Sequence, residues 1–394
     1  MTAIPGSRYR WWILGVFVIS TSINYLDRLT LASLAPAVQK ELGLNDTMYG
    51  WLQTAFSAPY AVVAPFAGLL IDTIGLTRAI SLALAVWSCA GIATGLTSGV
   101  RSLFVCRVVL GMAEAAGIPA AGKAIVTWMK PGERAMGHAM NQAAVSAGSM
   151  LAPLLASWVA LHWGGWRAAF LVTGSLGLVW IPLWRTVSGP VVPVATPQGR
   201  ATPFRDRRLW AICAANALHA LPYSLWFGWT TKYLFTVYGL DLAGANAYAW
   251  IPPGFALVGG FACGWASLKL TQRGVDVVSA RRKVCLGAAI VALATGLAPL
   301  AASPAWATLA ISIGLGAVAG FSVNLYALPL DVFGESRAAF AISMLVATYG
   351  ATGAVLSPAI GRTVDHYGYA PVTTVAAVTP LIGWLVLRSV RSDA

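Results

Sequence analysis

Residues 10–38 read RWWILGVFVISTSINYLDRLTLASLAPAV, and at the centre of this apolar run INYLDR (23–28) sets Asp27 beside Arg28. The run is long enough to cross a hydrocarbon core of about 30 Å as a helix. A charge at the bilayer midplane costs roughly 2.5–3.5 kcal/mol on insertion scales, so residues of this kind are expected to be few, paired and functional. The remainder of the chain fits a membrane setting. Of its 394 residues 58% are hydrophobic and 10% charged, with a mean hydropathy of +0.72, whereas a soluble domain carries about 25% charged residues. Apolar stretches of similar length recur from end to end, and their continuity argues against a β-barrel. The predicted class is an all-α, multi-pass membrane protein.

Twelve spans are predicted, near 9–37, 48–71, 78–98, 101–128, 134–161, 167–186, 208–236, 244–270, 283–302, 304–331, 337–364 and 370–388. The net charge of +13 is distributed as topology rather than as a nucleic-acid surface. Most of the Lys and Arg fall at the termini and in the even-to-odd loops, among them Arg205, Arg207, Arg208, Arg281, Arg282 and Lys283. Lys40, Arg101 and Arg167 fall at the opposite surface. The positive-inside rule then puts both termini and the central loop in the cytoplasm, in a cytoplasmic (inner) membrane. The first span is too long for the apolar core of a signal peptide and is read as retained. Cys89, Cys106, Cys213, Cys263 and Cys285 lie in or at the edge of spans without metal-site spacing, as inert small residues.

The stretch 188–207, SGPVVPVATPQGRATPFRDR, separates two sets of six spans, giving bundles at 1–187 and 208–394. Internal repetition supports the division. APLLASWVALHWGGW (from Ala152) and SPAIGRTVDHYGY (from Ser357) share a Ser/Ala-Pro and a His-aromatic-Gly exit, and GERAMG and GESRAA precede them. The loops LGLNDTMYGW and YGLDLAGANAYAW match more loosely. Two self-similar halves are the pattern of many secondary transporters, whose substrate sites lie near the midplane at the repeat interface.

Buried acids are scarce: away from surfaces and span ends there are Asp27 and Glu114. In RVVLGMAEAAGIPA, Arg107, Gly111 and Glu114 lie at i, i+4 and i+7, on one helical face. At about 1.5 Å per residue from the outer surface, Arg107 is near 10 Å deep and Glu114 near 20 Å, with Asp27 and Arg28 at about 15 Å between them. Two helices therefore offer two acids and two bases at one level. A structural ion-pair network satisfies the same burial rule, but aliphatic replacement serves stability as well as a buried pair does. Acids that exchange a proton for an arginine partner are the parts of a proton-coupled carrier.

At the inner end of span two, GLLIDTIGLTR has the form Gly68-x-x-x-Asp72-x-x-Gly75-x-x-Arg78. With the twelve spans it resembles the loop motif of the major facilitator superfamily, in which the aspartate caps and pairs with a neighbouring helix as a gating contact. The usual basic residue is Thr73 here, and GWASLKLTQR after span eight lacks the acid. INYLDR, RxxxGxxEAxxxP over Arg107–Pro119 and WMKPGER over Trp128–Arg134 resemble the anion:cation symporter family, which includes bacterial hexuronate and galactonate carriers. Span ten, GFSVNLYALPLDVFG, is similar to the hexuronate branch around Ser322, Asn324 and Asp331.

The resemblance implies the major facilitator fold, two pseudo-symmetric six-helix bundles. It assigns proton coupling to Asp27 and Glu114, and to Arg28 and Arg107 the binding of the anion or pairing with those acids. Tyr25, Tyr60, Asn324 and Tyr326 match substrate-pocket positions. Where galactonate carriers have a glutamine in span five the alignment gives Val145, with Gln142 one turn earlier. Where they have an asparagine in span eleven it gives Val346. An unmatched hydroxyl in a dry pocket costs about 1–3 kcal/mol, so the loss of two amides raises smaller or more apolar carboxylates.

The function expected is proton-coupled symport of an organic carboxylate, a sugar acid such as a hexuronate or aldonate first. Transport of a smaller monocarboxylate or other organic anion, or export or exchange on the same fold, is the alternative. No nucleophile, metal cluster or phosphate loop stands out, so no enzyme activity or cofactor is expected beyond protons as the coupling ion, and a monomer in the bilayer is expected. His138 and His219 read as hydrogen-bonded structural residues, Lys123 as pairing with a cytoplasmic-side partner and Lys232 as snorkelling. The seventeen tryptophans read as mostly lipid-facing, with Trp226 and Trp229 able to line a pathway.

Overall fold

The computed structural model describes residues 7–130, 133–188 and 204–390, so stretch 189–203 of the predicted linker and Pro131–Gly132 of WMKPGER and GERAMG lie outside the described residues. Regular structure among the described residues is helical throughout. The helices are α1 (Ser7–Leu42), α2 (Asp46–Ile74), α3 (Leu76–Gly95), α4 (Val100–Glu114), α5 (Gly117–Trp128), α6 (Arg134–His162) and α7 (Gly165–Ser188). They continue with α8 (Arg207–Tyr238), α9 (Leu242–Ala249), α10 (Ile251–Gln272), α11 (Val277–Ala292), α12 (Pro304–Phe333), α13 (Glu335–Tyr367) and α14 (Tyr369–Leu387). A 3-10 segment, Leu293–Leu300, follows α11 directly.

Among the described residues ten spans are long and apolar enough to cross a membrane, counting α4 with α5, α9 with α10, and α11 with its 3-10 extension. α1 and α8, at 36 and 32 residues, match them in length but carry more polar residues, Asn24, Asp27 and Arg28 in one and Asn216, His219 and Lys232 in the other. The interruptions have local causes. Pro119 has no N–H for the carbonyl of Ala115, and α4 ends at Glu114 with Ala115 and Ala116 in a turn. Pro252 and Pro253 stand in the first turn of α10, where a missing N–H is harmless, and so mark its restart after Trp250.

The chain divides into two compact units, Met1–Leu42 with Ala55–Thr196, and Gly43–Thr54 with Pro197–Ala394. A division near 188–207 does not anticipate that Gly43–Thr54 goes with the second unit. The reason is polar: Asp365 accepts hydrogen bonds from the Asp46 and Thr47 backbone N–H groups at 2.9 and 2.8 Å. Lys232 also forms an ion pair with Asp46.

Within the first unit α1 packs on α5, α6 and α7, and within the second α8 packs on α12, α13 and α14. Small residues set the closest approaches. A Cβ on Gly148 of α6 would overlap the Ser22 carbonyl of α1, and one on Gly111 of α4 would overlap the Phe56 carbonyl of α2. Ten of the seventeen tryptophans are at least partly exposed and seven are interior. Trp87, Trp128, Trp166, Trp180, Trp184, Trp226 and Trp229 are buried. Trp184 stacks on Trp180 at 5.3 Å and meets Trp128 and Phe17 edge-on. Gly174 and Gly177 of α7 lie so close to α3 that a Cβ on either would overlap it.

Candidate functional site

Arg28 is the centre of the first unit's polar interior. Its Nε donates to Glu114 Oε2 at 3.0 Å, where the Glu114 side chain is fully buried and that of Arg28 is 17% exposed. Its guanidinium carbon lies 4.9 Å from the ring centroids of Tyr25 and Phe56 and 5.0 Å from that of Tyr60. Those distances are within cation–π range. Helical spacing builds this cage: Tyr25 is one turn before Arg28, and Phe56 and Tyr60 sit one turn apart on α2 with their rings stacked. Gly111 lets α2 and α4 approach closely, and Phe56 also faces Arg107, 4.8 Å from its guanidinium carbon. Arg107 and Asn24 lie in the electrostatic field of Glu114 beside Arg28. The structure thus brings Tyr25, Arg28, Tyr60, Arg107 and Glu114 together as one cluster.

Asp27 does not take part in that cage. Adjacent helical residues point about 100° apart, and Asp27 is buried at 3% exposure with neither carboxyl oxygen in a hydrogen bond of good geometry. Arg28 meets the acid of α4, and Asp27 is enclosed. Gln142 of α6 is half-buried nearby in sequence to Asn141, which accepts a hydrogen bond from Thr21 of α1 at 2.8 Å.

The loop motif makes a contact of its own. Asp72 pairs with Lys123 of α5 at 2.7 Å, giving that lysine the partner expected of it. Gly75 holds φ +83°, a conformation that excludes a side chain, between α2 and α3. Arg78 is exposed, and a Cβ at Gly68 would meet open space, so neither is held by packing. Outside the spans, Glu133 accepts from Arg10 at 2.7 Å and from the Lys130 N–H at 3.0 Å. The Lys130 N–H and the Arg10 guanidinium hold its carboxyl below the usual range.

In the second unit the polar residues are mostly neutral. Asn324 is fully buried, and its amide donates to the Gly320 carbonyl at 3.0 Å and the Cys263 carbonyl at 3.4 Å, so it joins α10 to α12 rather than presenting itself to a pocket. Tyr326 is half-buried against the core around Phe321, Leu325 and Leu328. His219 is buried and stacks on Phe321 at 5.4 Å, without the hydrogen bond expected of it. His138 is exposed. Lys232 does not snorkel: it is 8% exposed and paired with Asp46. Trp226 and Trp229 are buried against Tyr233, and against Tyr49 and Tyr369, instead of lining a pathway. Asp331 pairs with Arg281 of α11. Among the described residues no group of His, Cys, Asp or Glu could hold a metal ion.

Sequence reasoning missed Phe56 and Asn24. Phe56 stands one turn before Tyr60, so the i, i+4 spacing to a residue already singled out was a usable signal.

The sequence model of the Major Facilitator Superfamily matches residues 17–344. A hexuronate transporter of Escherichia coli is 28% identical over 410 residues, covering 98% of this chain and 94% of the relative. A galacturonate transporter of Dickeya chrysanthemi is 29% identical over 321 residues, covering 75% of this chain and 92% of the relative. Among solved structures, a bacterial homologue of the human lysosomal transporter Spinster superposes with a TM-score of 0.77 at 19% identity, covering 99% of this chain and 100% of that one. The last likeness is one of fold.

Proposed function

The chain belongs to the Major Facilitator Superfamily, and we propose that it is a proton-coupled symporter of an organic carboxylate, a sugar acid of the hexuronate or aldonate type. One observation carries this reading: Arg28, partly exposed within three aromatic rings, is held by an acid that is itself fully buried. The pair is exchangeable in chemical terms. A proton on Glu114 removes the charge that holds Arg28, and a substrate carboxylate can then take the guanidinium in its place. With Asp27 and Glu114 ionised against Arg28 and Arg107 the interior is balanced. One proton therefore offsets one added carboxylate, which favours coupled over independent binding. The names of the hexuronate and galacturonate relatives support the sugar acid.

A second reading, transport of a smaller or more apolar carboxylate, is favoured by Val145 and Val346, both buried where galactonate carriers align amides. Both readings place the termini in the cytoplasm and the chain in the inner membrane. The test is uptake by proteoliposomes under an inside-alkaline pH gradient, with hexuronates, aldonates and small monocarboxylates in parallel. Accumulation of a hexuronate or aldonate that a protonophore collapses supports the first reading. Accumulation of small monocarboxylates alone selects the second. Uptake indifferent to the gradient overturns proton coupling.

A further inference from the structure

In the second unit α11 and α14 are braced together at one end. Trp384 Nε1 donates to the Arg282 carbonyl at 3.0 Å, and Arg282 Nη1 donates to the carbonyl of Val390, just past α14, also at 3.0 Å. Further along, a Cβ on Gly296 would meet Ala377 at 3.3 Å. The two helices therefore run antiparallel, with the start of α11 beside the end of α14. Each turns an apolar face outward, and each face ends in a cation at the braced end. On α11 the exposed residues Lys283, Gly287, Ile290 and Val291 lie at i, i+4, i+7 and i+8. On α14 Val378, Ile382 and Leu385 are exposed, and exposed Arg388 follows. Half-buried Trp384 stands between the two cations in the brace, with the Arg388 guanidinium carbon 5.5 Å from its ring centroid. Neither cation has a carboxylate partner among the described residues. Asp276 caps α11 by accepting from the Ser279 N–H at 2.9 Å, and Asp331 is paired with Arg281. A Cβ at Gly287 would meet open space, so the outward face of α11 is notched one turn beyond Lys283.

We propose that this end of the α11–α14 pair binds an anionic phospholipid, its phosphate held by Lys283 and Arg388 and its acyl chains lying along the two apolar faces. Ammonium and guanidinium groups both donate charge-assisted hydrogen bonds to phosphate oxygens. Basic residues clustered where helices leave the hydrocarbon attract acidic headgroups, and an indole is suited to that boundary. A lipid fits better than a soluble anion because both cations continue directly into outward-facing apolar surface. Lys269 of α10 supplies a contrast within the same unit. It lies over exposed Trp265 at 5.6 Å, but as a single cation on one helix without the brace. The inference is independent of which substrate the protein carries.

The measurement is native mass spectrometry of the purified full chain in a neutral detergent, titrated with phosphatidylglycerol and, in parallel, with phosphatidylcholine of the same acyl chains. The first phosphatidylglycerol should bind the wild type more tightly than phosphatidylcholine does. Lys283→Gln and Arg388→Gln should each weaken it about 5-fold, and the two together about 30-fold, while phosphatidylcholine binding stays unchanged. The charge-keeping exchange of Lys283→Arg with Arg388→Lys should retain the affinity, which separates loss of charge from loss of fold. Lys269→Gln should leave the first phosphatidylglycerol bound as in the wild type. Equal affinity of the wild type and the doubly neutralised variant overturns the site. So does an equal loss in Lys269→Gln, which would make the attraction a diffuse effect of net charge. Phosphatidylcholine bound as tightly as phosphatidylglycerol by the wild type overturns the headgroup assignment.

Discussion

Two segments of similar pattern, MAEAAGIP in α4–α5 and FSVNLYALP in α12, show how the halves differ. Each places a fully buried polar residue five positions before a proline, Glu114 before Pro119 and Asn324 before Pro329. In the first unit the helix breaks after the acid, and the acid meets a cation from α1. In the second α12 runs on through its proline, and the amide bonds backbone carbonyls of α12 and α10. The helices that open the units differ in the same sense. Aligned on LGLND and YGLDL, Asp27 and Arg28 fall against Tyr223 and Ser224. Tyr223 stacks on Phe227 at 4.5 Å. The interior charge of the second unit is thus moved to helix ends, as Lys232–Asp46 and Arg281–Asp331. A packing role is met by neutral residues at the equivalent positions, so the charges of the first unit need a reason beyond packing.

That contrast predicts unequal sensitivity. Arg28→Ala should lower transport by at least about 100-fold, and should destabilise the protein by about 3–5 kcal/mol because Glu114 is left buried without its cation. Thermal unfolding in detergent and proteoliposome uptake read the two effects. The double change Arg28→Met with Glu114→Leu should recover most of the stability and none of the transport. Recovery of transport would make the pair structural. Lys232→Met, at the end of α8, should cost about 2 kcal/mol, less than Arg28→Ala since Asp46 retains some contact with water. Asn324→Ala should cost about 1 kcal/mol and leave uptake within a few-fold. A loss as large as that of Arg28→Ala would erase the distinction between the halves.

The smallest effect concerns acid. Glu133 has its carboxyl held below 4.5 by the Lys130 N–H and Arg10. A group lowered in the folded state stabilises above its unfolded value, and that contribution is lost as pH falls through the lowered one. The melting temperature of the wild type should therefore fall more steeply than that of Glu133→Gln below about pH 4.5. Parallel curves would show that the Arg10–Glu133 contact adds nothing.

The membrane class, the family and the meeting of a charge of INYLDR with the span-four pair were legible because hydropathy, motif and helical spacing are local properties, whereas which of Asp27 and Arg28 makes that contact was not. Face and depth of Arg107 and Glu114 follow from i, i+4 and i+7 positions alone. What could not be read depends on how helices cross. Asp27 is enclosed by the helices packed around α1, and Lys232 is paired inside because Asp46 joins the second unit. Asn324 looks like a ligand-binding amide until its two backbone carbonyls are in place. Which tryptophans turn inward, Trp184 against Trp180, Trp128 and Phe17 among them, likewise depends on helix contacts that hydropathy does not register.

The central claim is that the Arg28–Glu114 pair converts proton binding into anion binding. Glu114→Gln in proteoliposomes tests it most directly, with the same transported carboxylate followed under a pH gradient and in counterflow. The account predicts that gradient-driven accumulation disappears while counterflow exchange persists. Accumulation equal to that of the wild type would contradict it.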